Sequence, residues 1–193
     1  MPGSRNRDDF IAAAKSLFAS RGFDGVTMRN IADALGLTQA ALYYHFTSKD
    51  ELYLAVLERT AEGTIANLKA AVKSHRKPVA RLRALLTELC QALYEDQDRG
   101  LLLRARIDGD KARGKVRGEG VFGEGFRLFQ SEAAKIWPDL DSGEITLSLI
   151  ASCSYAYTLS DMRLHLPGIA KETPSPEDYA DHLIRVLKIG DAS

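Results

Sequence analysis

Three features of the 193-residue sequence predict an all-α fold of about nine helices, with a three-helix helix-turn-helix unit at the N-terminus and a larger helical domain behind it. Apolar residues recur at helical spacing along most of the chain, alternating strand-like patterns are nearly absent, and capping residues stand where the pattern starts and stops. The domain boundary falls near residue 50, giving a unit of residues 1–50 and a second of 51–193.

Phe10, Ile11, Ala14, Leu17 and Phe18 share one helical face, which Arg21 to Gly25 interrupts. Thr27 caps a short second helix with Met28, Ile31, Ala32 and Leu35 on its apolar side, and Gly36 ends it. Thr38 caps a third, Gln39 to Phe46, in which Leu42 and Phe46 face inward. Ser48 and Glu51 have the form of a capping box for a fourth helix running through Val72, and Pro78 marks the next start. Helical patterns then cover Val79 to Leu93, Phe126 to Trp137 and Glu144 to Leu166. The last helix is signalled by Ser175, Pro176, Glu177 and Asp178, buries Tyr179, Leu183, Ile184 and Leu187, and stops at Gly190. Five glycines between Gly114 and Gly125 leave that segment open between helix and loop.

A hydrophobic fraction of 45% suffices for a substantial core, while 26 basic and 26 acidic residues cancel, so a DNA-binding claim must rest on local residues. Two distant cysteines, Cys90 and Cys153, form no CxxC pair and fit a reducing cytoplasm, as does a polar N-terminus with no apolar signal segment behind it. The uncharged run Ile145 to Ser160 carries six Ser or Thr and is shorter than the roughly 20 residues a bilayer span needs, so no membrane association is expected. His75, His165 and His182 are isolated from other ligand types, so no metal or cofactor is expected. No GxSxG, P-loop or HExxH motif supports an enzyme, and the literal GxGxxG at Gly118 to Gly123 follows no strand. The basic runs Lys69 to Arg83 and Arg99 to Arg117 read as solvated faces.

A bihelical unit with a tight turn at Gly36 and Leu37 is the kind that lays its second helix in the DNA major groove. With Ile31, Leu35, Leu42 and Phe46 inside, the remaining side chains of the third helix face outward. Gln39 can pair with adenine, Ala40 and Ala41 can approach thymine methyls, and Tyr43, Tyr44 and His45 can reach phosphates. Arg29 can reach a guanine, and Lys49 offers positive potential to the backbone. The first 50 residues hold six basic and five acidic side chains, a net of only +1, so the expectation is that Arg5, Arg7, Arg29 and Lys49 gather on one face while Asp24 and Asp33 look away. The alternatives are a helical pair inside an unrelated bundle and an adaptor that binds protein.

The run Val26-Thr27-Met28-Arg29-Asn30-Ile31-Ala32-Asp33-Ala34-Leu35-Gly36, followed by Leu42-Tyr43-Tyr44-His45-Phe46-Thr47-Ser48-Lys49-Asp50-Glu51-Leu52, resembles the tetracycline-repressor (TetR) family signature over about the first quarter of the chain. The resemblance implies phosphate contacts for Thr27, Thr38, Tyr43, His45 and Lys49. It places Arg29, Gln39, Ala40, Ala41 and Tyr44 at or near bases. It also implies a ligand-binding and dimerisation domain in residues 51–193, and repression as the default activity.

The expected partners are a near-palindromic double-stranded operator, a second copy of the chain joined through the last two helices, and a small, largely hydrophobic effector. Leu85, Leu89, Leu102, Phe122, Phe126 and Tyr155 are the candidate effector contacts. The fourth helix, reaching from Lys49 into the second domain, is the expected lever between effector and DNA. Activation in place of repression, or a redox response through Cys90 or Cys153, is the alternative for the same fold.

Overall fold

The computed structural model describes residues 6–95, 120–158 and 163–187. Within them lie eight helices and no strand: α1 Arg7–Arg21, α2 Met28–Leu35, α3 Gln39–His45, α4 Lys49–Ser74, α5 Pro78–Glu95, α6 Val121–Ile136, α7 Ser142–Thr158 and α8 Pro176–Val186.

Local chemistry sets most of the helix starts. Asn6 and Asp9 cap α1 reciprocally, Asp9 N–H donating to Asn6 Oδ1 at 3.0 Å and Asn6 N–H to Asp9 Oδ2 at 2.8 Å. Thr27 and Asn30 repeat the device at α2, and Ser48 Oγ accepts the Glu51 N–H at 3.1 Å to start α4. Ser175 does the same for α8 through the Asp178 N–H, with Pro176 supplying the fixed φ of a first helical residue. Each such cap satisfies a backbone donor that the helix cannot, worth about 1 kcal/mol. Gly36 ends α2 at φ +66°, the left-handed region that a side chain disfavours.

Two apolar clusters share α4. The first joins α1, α2 and α3 to the start of α4 around Phe10, Phe18, Ile31, Leu42, Phe46, Leu52 and Leu57. The second joins the far part of α4, at Ile65 and Leu68, to α5, α6, α7 and α8 around Leu82, Leu85, Leu86, Phe129, Cys153 and Leu183. Among the described residues, Phe122 on α6 packs against the first cluster although most of α6 serves the second.

The structure departs from the sequence reading in three elements. Helix α6 begins at Val121, five residues before the expected Phe126, so Gly123 and Gly125 are helical. A Cβ on Gly125 would stand 2.8 Å from Ile65 Cδ1, so α4 and α6 approach closely at this glycine. Helix α7 is described only to Thr158, and Leu164 to Ser175 is turn and irregular chain, where helical periodicity had suggested a helix to Leu166. Leu187 is the C-cap of α8 and exposed, because the apolar face ends with the helix axis there. Arg5, Leu102, Gly190, and most of the glycine-rich and second basic runs lie outside the described residues.

Candidate nucleic-acid interface

Helix α3 is held from beneath. Leu42 and Phe46 are fully buried, Phe46 meets the Phe10 ring edge-on at 6.4 Å between centroids, and Ile31 and Ala32 of α2 close the same core. Thr38 caps its first turn by accepting the Ala41 N–H at 3.4 Å. At its end, Thr47 donates from both N–H and Oγ1 to Glu51 Oε2, at 2.7 and 2.8 Å, clamping the turn into α4. These two hydrogen bonds hold the Glu51 carboxyl below its usual range.

With its inner side fixed, α3 presents Gln39, Ala40, Tyr43 and Tyr44 to solvent. Tyr44 is 87% exposed and Tyr43 49%, two adjacent large aromatic side chains left to solvent. Ala41 is half-buried, and so is His45, whose ring stands 4.8 Å from Phe10 and edge-on to Tyr44 at 5.2 Å. His45 therefore also supports Tyr44 from the protein side. Thr27 and Thr38, each at a helix start, are exposed with their backbone donors partly engaged in capping.

Arg7, Arg29 and Lys49 each have a partner within the chain. Arg29 is exposed but pairs with Asp33, Nε to Oδ2 at 3.7 Å, so Asp33 does not look away from it. One helical turn separates the two, the spacing at which opposite charges meet on a helix surface. Lys49 is half-buried, donating to the Phe23 and Val26 carbonyl oxygens at 3.1 Å each, with its ammonium 4.0 Å from the Phe23 ring centroid. Arg7 lies over the Phe46 ring at 4.7 Å. Sequence reasoning missed Asn30 and Thr47 as positioning residues; the Thr27-to-Asn30 spacing of a capping box was the available signal.

A second feature sits in the other cluster. An apolar cavity of about 70 Å³ lies between α4, α5, α6 and α7, bounded by Ile65, Leu68, Leu89, Phe122, Phe126 and Ile150 among others, with Thr64 as the polar side chain in its wall. Of the candidate effector contacts, Leu89, Phe122 and Phe126 line it. Leu85 is buried in the core without reaching it, Tyr155 is 63% exposed on the outer side of α7, and Leu102 lies outside the described residues. No described helix is long and apolar enough to cross a membrane.

Residues 10–56 match the family model described as bacterial regulatory proteins, tetR family. The HTH-type transcriptional activator FasR of Mycolicibacterium smegmatis is 37% identical over 96 residues, 50% of this chain and 44% of that protein. The HTH-type transcriptional repressor KstR2 of Mycobacterium tuberculosis is 29% identical over 118 residues, 56% of this chain and 59% of that protein, so the matches span about half the length of these relatives. The solved structure of AibR in complex with isovaleryl coenzyme A and operator DNA superposes with a TM-score of 0.70 at 17% identity, covering 93% of this chain and 96% of that one, a likeness of fold. Over residues 10–56, the helix-turn-helix unit and the start of α4, the chain is thus similar to the bacterial regulatory proteins of the tetR family.

Proposed function

We propose that this protein is a cytoplasmic, homodimeric transcriptional repressor that reads a near-palindromic operator with α3 and leaves it when a small, largely hydrophobic effector occupies the cavity. The observation that carries the DNA part is the exposed Tyr43–Tyr44 pair beside Gln39 and Ala40, on a short helix whose opposite side is locked by Leu42 and Phe46. In this reading Gln39, Ala40, Ala41, Tyr44 and Arg29 meet bases, while Thr27, Thr38, Tyr43, His45 and Lys49 meet phosphates. Arg29 exchanges an exposed ion pair worth about 1 kcal/mol or less for a base or phosphate.

Residues 1–50 carry the DNA contacts and 51–193 the effector site and the dimer contact. Leu147 and Tyr155 on α7 and Val186 and Leu187 on α8 are exposed apolar groups on the two helices expected to meet a second copy. Two recognition helices on a twofold axis then fall about 34–36 Å apart, one turn of duplex.

The cavity wall favours an apolar occupant, and AibR, of the same fold, was solved with a coenzyme A thioester. At about 70 Å³ the cavity is far below the roughly 300–1,000 Å³ of ligand pockets, so an effector must spread α4, α5 and α6 to enter. Phe122 lines the cavity and packs on the helix-turn-helix core, and α4 runs from Lys49 to Ile65 and Leu68 on the cavity wall. Spreading the cavity therefore displaces the support of α3. A coupling of about 1–3 kcal/mol would suffice to release DNA five- to 150-fold. FasR, an activator, keeps activation as the second reading.

The experiment is a selection of bound duplexes from a random library, followed by a metabolite screen for release and a reporter assay on the selected operator. Recovery of a near-palindrome, release by an apolar compound and derepression support the proposal. No enriched sequence removes the DNA reading, and higher expression with protein bound replaces repression by activation.

A further inference from the structure

The only two cysteines of the sequence come together in the core. Cys90 on α5 and Cys153 on α7 are both fully buried, both belong to the second apolar cluster, and α5 packs directly on α7. Cys90 shares hydrogen bonds with the Cys153 thiol and with the Tyr157 hydroxyl. Packing alone gives no reason for this meeting, since an Ala or Val at either place would fill an apolar interior without bringing two sulfurs into contact.

The surroundings bear on reactivity. The hydrogen bond from Cys153 is the main influence holding the Cys90 thiol below its usual range, and it prevails over desolvation, which acts the other way. Burial pushes the Tyr157 and Tyr179 phenols up, so both remain protonated at neutral pH and Tyr157 can serve Cys90 as a donor. The thiolate is the nucleophilic form of cysteine, and the lowered Cys90 value shifts the thiol in that direction. Leu89, next to Cys90, and Ile150, one turn before Cys153, both line the cavity.

We propose that Cys90 and Cys153 are an intramolecular redox pair that a hydroperoxide closes into a disulfide between α5 and α7. The Cys90 sulfur attacks one peroxide oxygen, breaking the O–O bond and giving a sulfenic acid; the leaving hydroxide takes the proton that Cys90 gave up and departs as water. The Cys153 sulfur then attacks the Cys90 sulfur, the S–O bond breaks, and the Cys153 proton leaves with that oxygen as a second water. Two electrons pass from the two sulfurs to the peroxide. Disulfide geometry requires the Cα atoms to stand about 4.4–6.8 Å apart. The bridge ties together two helices of the cavity wall, opposing the spreading that an effector requires.

The test treats the full-length protein with hydrogen peroxide, blocks remaining thiols with an alkylating agent and maps the peptides by mass spectrometry without reduction. The expected result is loss of both thiols in parallel, one linked peptide containing Cys90 and Cys153 within a single chain, and recovery of both thiols on adding dithiothreitol. In Cys153→Ala the expected product is a Cys90 sulfenic acid trapped by dimedone, with folding of the variant checked by circular dichroism; the mapping of the unaltered protein stands independently of that variant. Survival of both thiols at a dose that fully oxidises glutathione, bridges only between chains, or bridging only in urea would overturn the pair. None of these readouts involves DNA, so they separate this inference from the regulatory reading.

Discussion

The Lys49 ammonium stands 4.0 Å from the centre of the Phe23 ring and donates to the Phe23 and Val26 carbonyl oxygens at 3.1 Å each. The first residue of α4 thereby fastens the loop that precedes α2, joining α4 to the helix-turn-helix. Two of the three ammonium donors are used in this way, which leaves one for a phosphate. Lys49→Met should lower stability by about 1–3 kcal/mol, the scale of hydrogen bonds to a charged group, read as a lower urea midpoint at unchanged slope. It should also weaken DNA binding for all sequences alike.

Tyr44 and Gln39 are exposed, and the Tyr44 ring meets its neighbour His45 edge-on at the surface, so their loss should leave folding within about 0.5 kcal/mol. Tyr44→Ala and Gln39→Ala should instead relax discrimination at particular base pairs by about 1–3 kcal/mol, measured by competition among single-substituted operators. Tyr43→Phe should remove one uncharged hydrogen bond to a phosphate, weakening binding to all sequences alike while leaving the slope of log affinity against log salt unchanged.

Two glycines should respond oppositely to alanine. Gly36 has open space for a Cβ but sits at φ +66°, so Gly36→Ala should cost about 1–2 kcal/mol. Gly125 is an interior residue of α6 with ordinary helical backbone, and its added Cβ would meet only the mobile end of Ile65 at 2.8 Å and Leu68 Cδ1 at 3.8 Å. Gly125→Ala gains about 1 kcal/mol of helix propensity against that shift, so thermal melting should show it near neutral. Because Ile65 lines the cavity, the same change should narrow the cavity and impair effector response.

Arg83 on α5 and Asp181 on α8 form a two-pronged ion pair, which holds the Asp181 carboxyl below its ordinary value. A depressed folded-state value means that this stabilisation is present above the unfolded value of about 3.9 and is lost as pH falls through the folded one. Both groups are nearly half exposed, so the pair contributes less than about 1 kcal/mol. Asp181→Asn should therefore lower the melting temperature slightly at neutral pH and match the unaltered protein at acidic pH.

How much of this the sequence made legible depended on how local the cause was. Caps at Thr27, Thr38, Ser48 and Ser175, and the stop at Gly36, are decided within a few residues, and the structure has them where periodicity and capping chemistry put them. The start of α6 was not legible because Gly123 and Gly125 look like helix breakers until Ile65, some 60 residues earlier, is seen packed against Gly125. Long-range meetings were equally hidden: the Lys49 anchor on Phe23, the Arg83–Asp181 pair, and the contact between Cys90 and Cys153. The outward face of α3 followed from its two inward residues, whereas Tyr155 drew attention as an aromatic yet lies on the outer surface, since α7 is apolar on more than one side.

The most direct test of the central claim, that the exposed side of α3 reads DNA, is fluorescence anisotropy of the full-length protein on its selected operator across a range of salt. The regulator reading requires tight binding that weakens steeply with salt and is at least 10³-fold stronger than to unrelated duplex, with Gln39→Ala and Tyr44→Ala narrowing that ratio while melting at the same temperature as the unaltered protein. Equal affinity for operator and unrelated duplex, or a ratio that both substitutions leave unchanged, would contradict it.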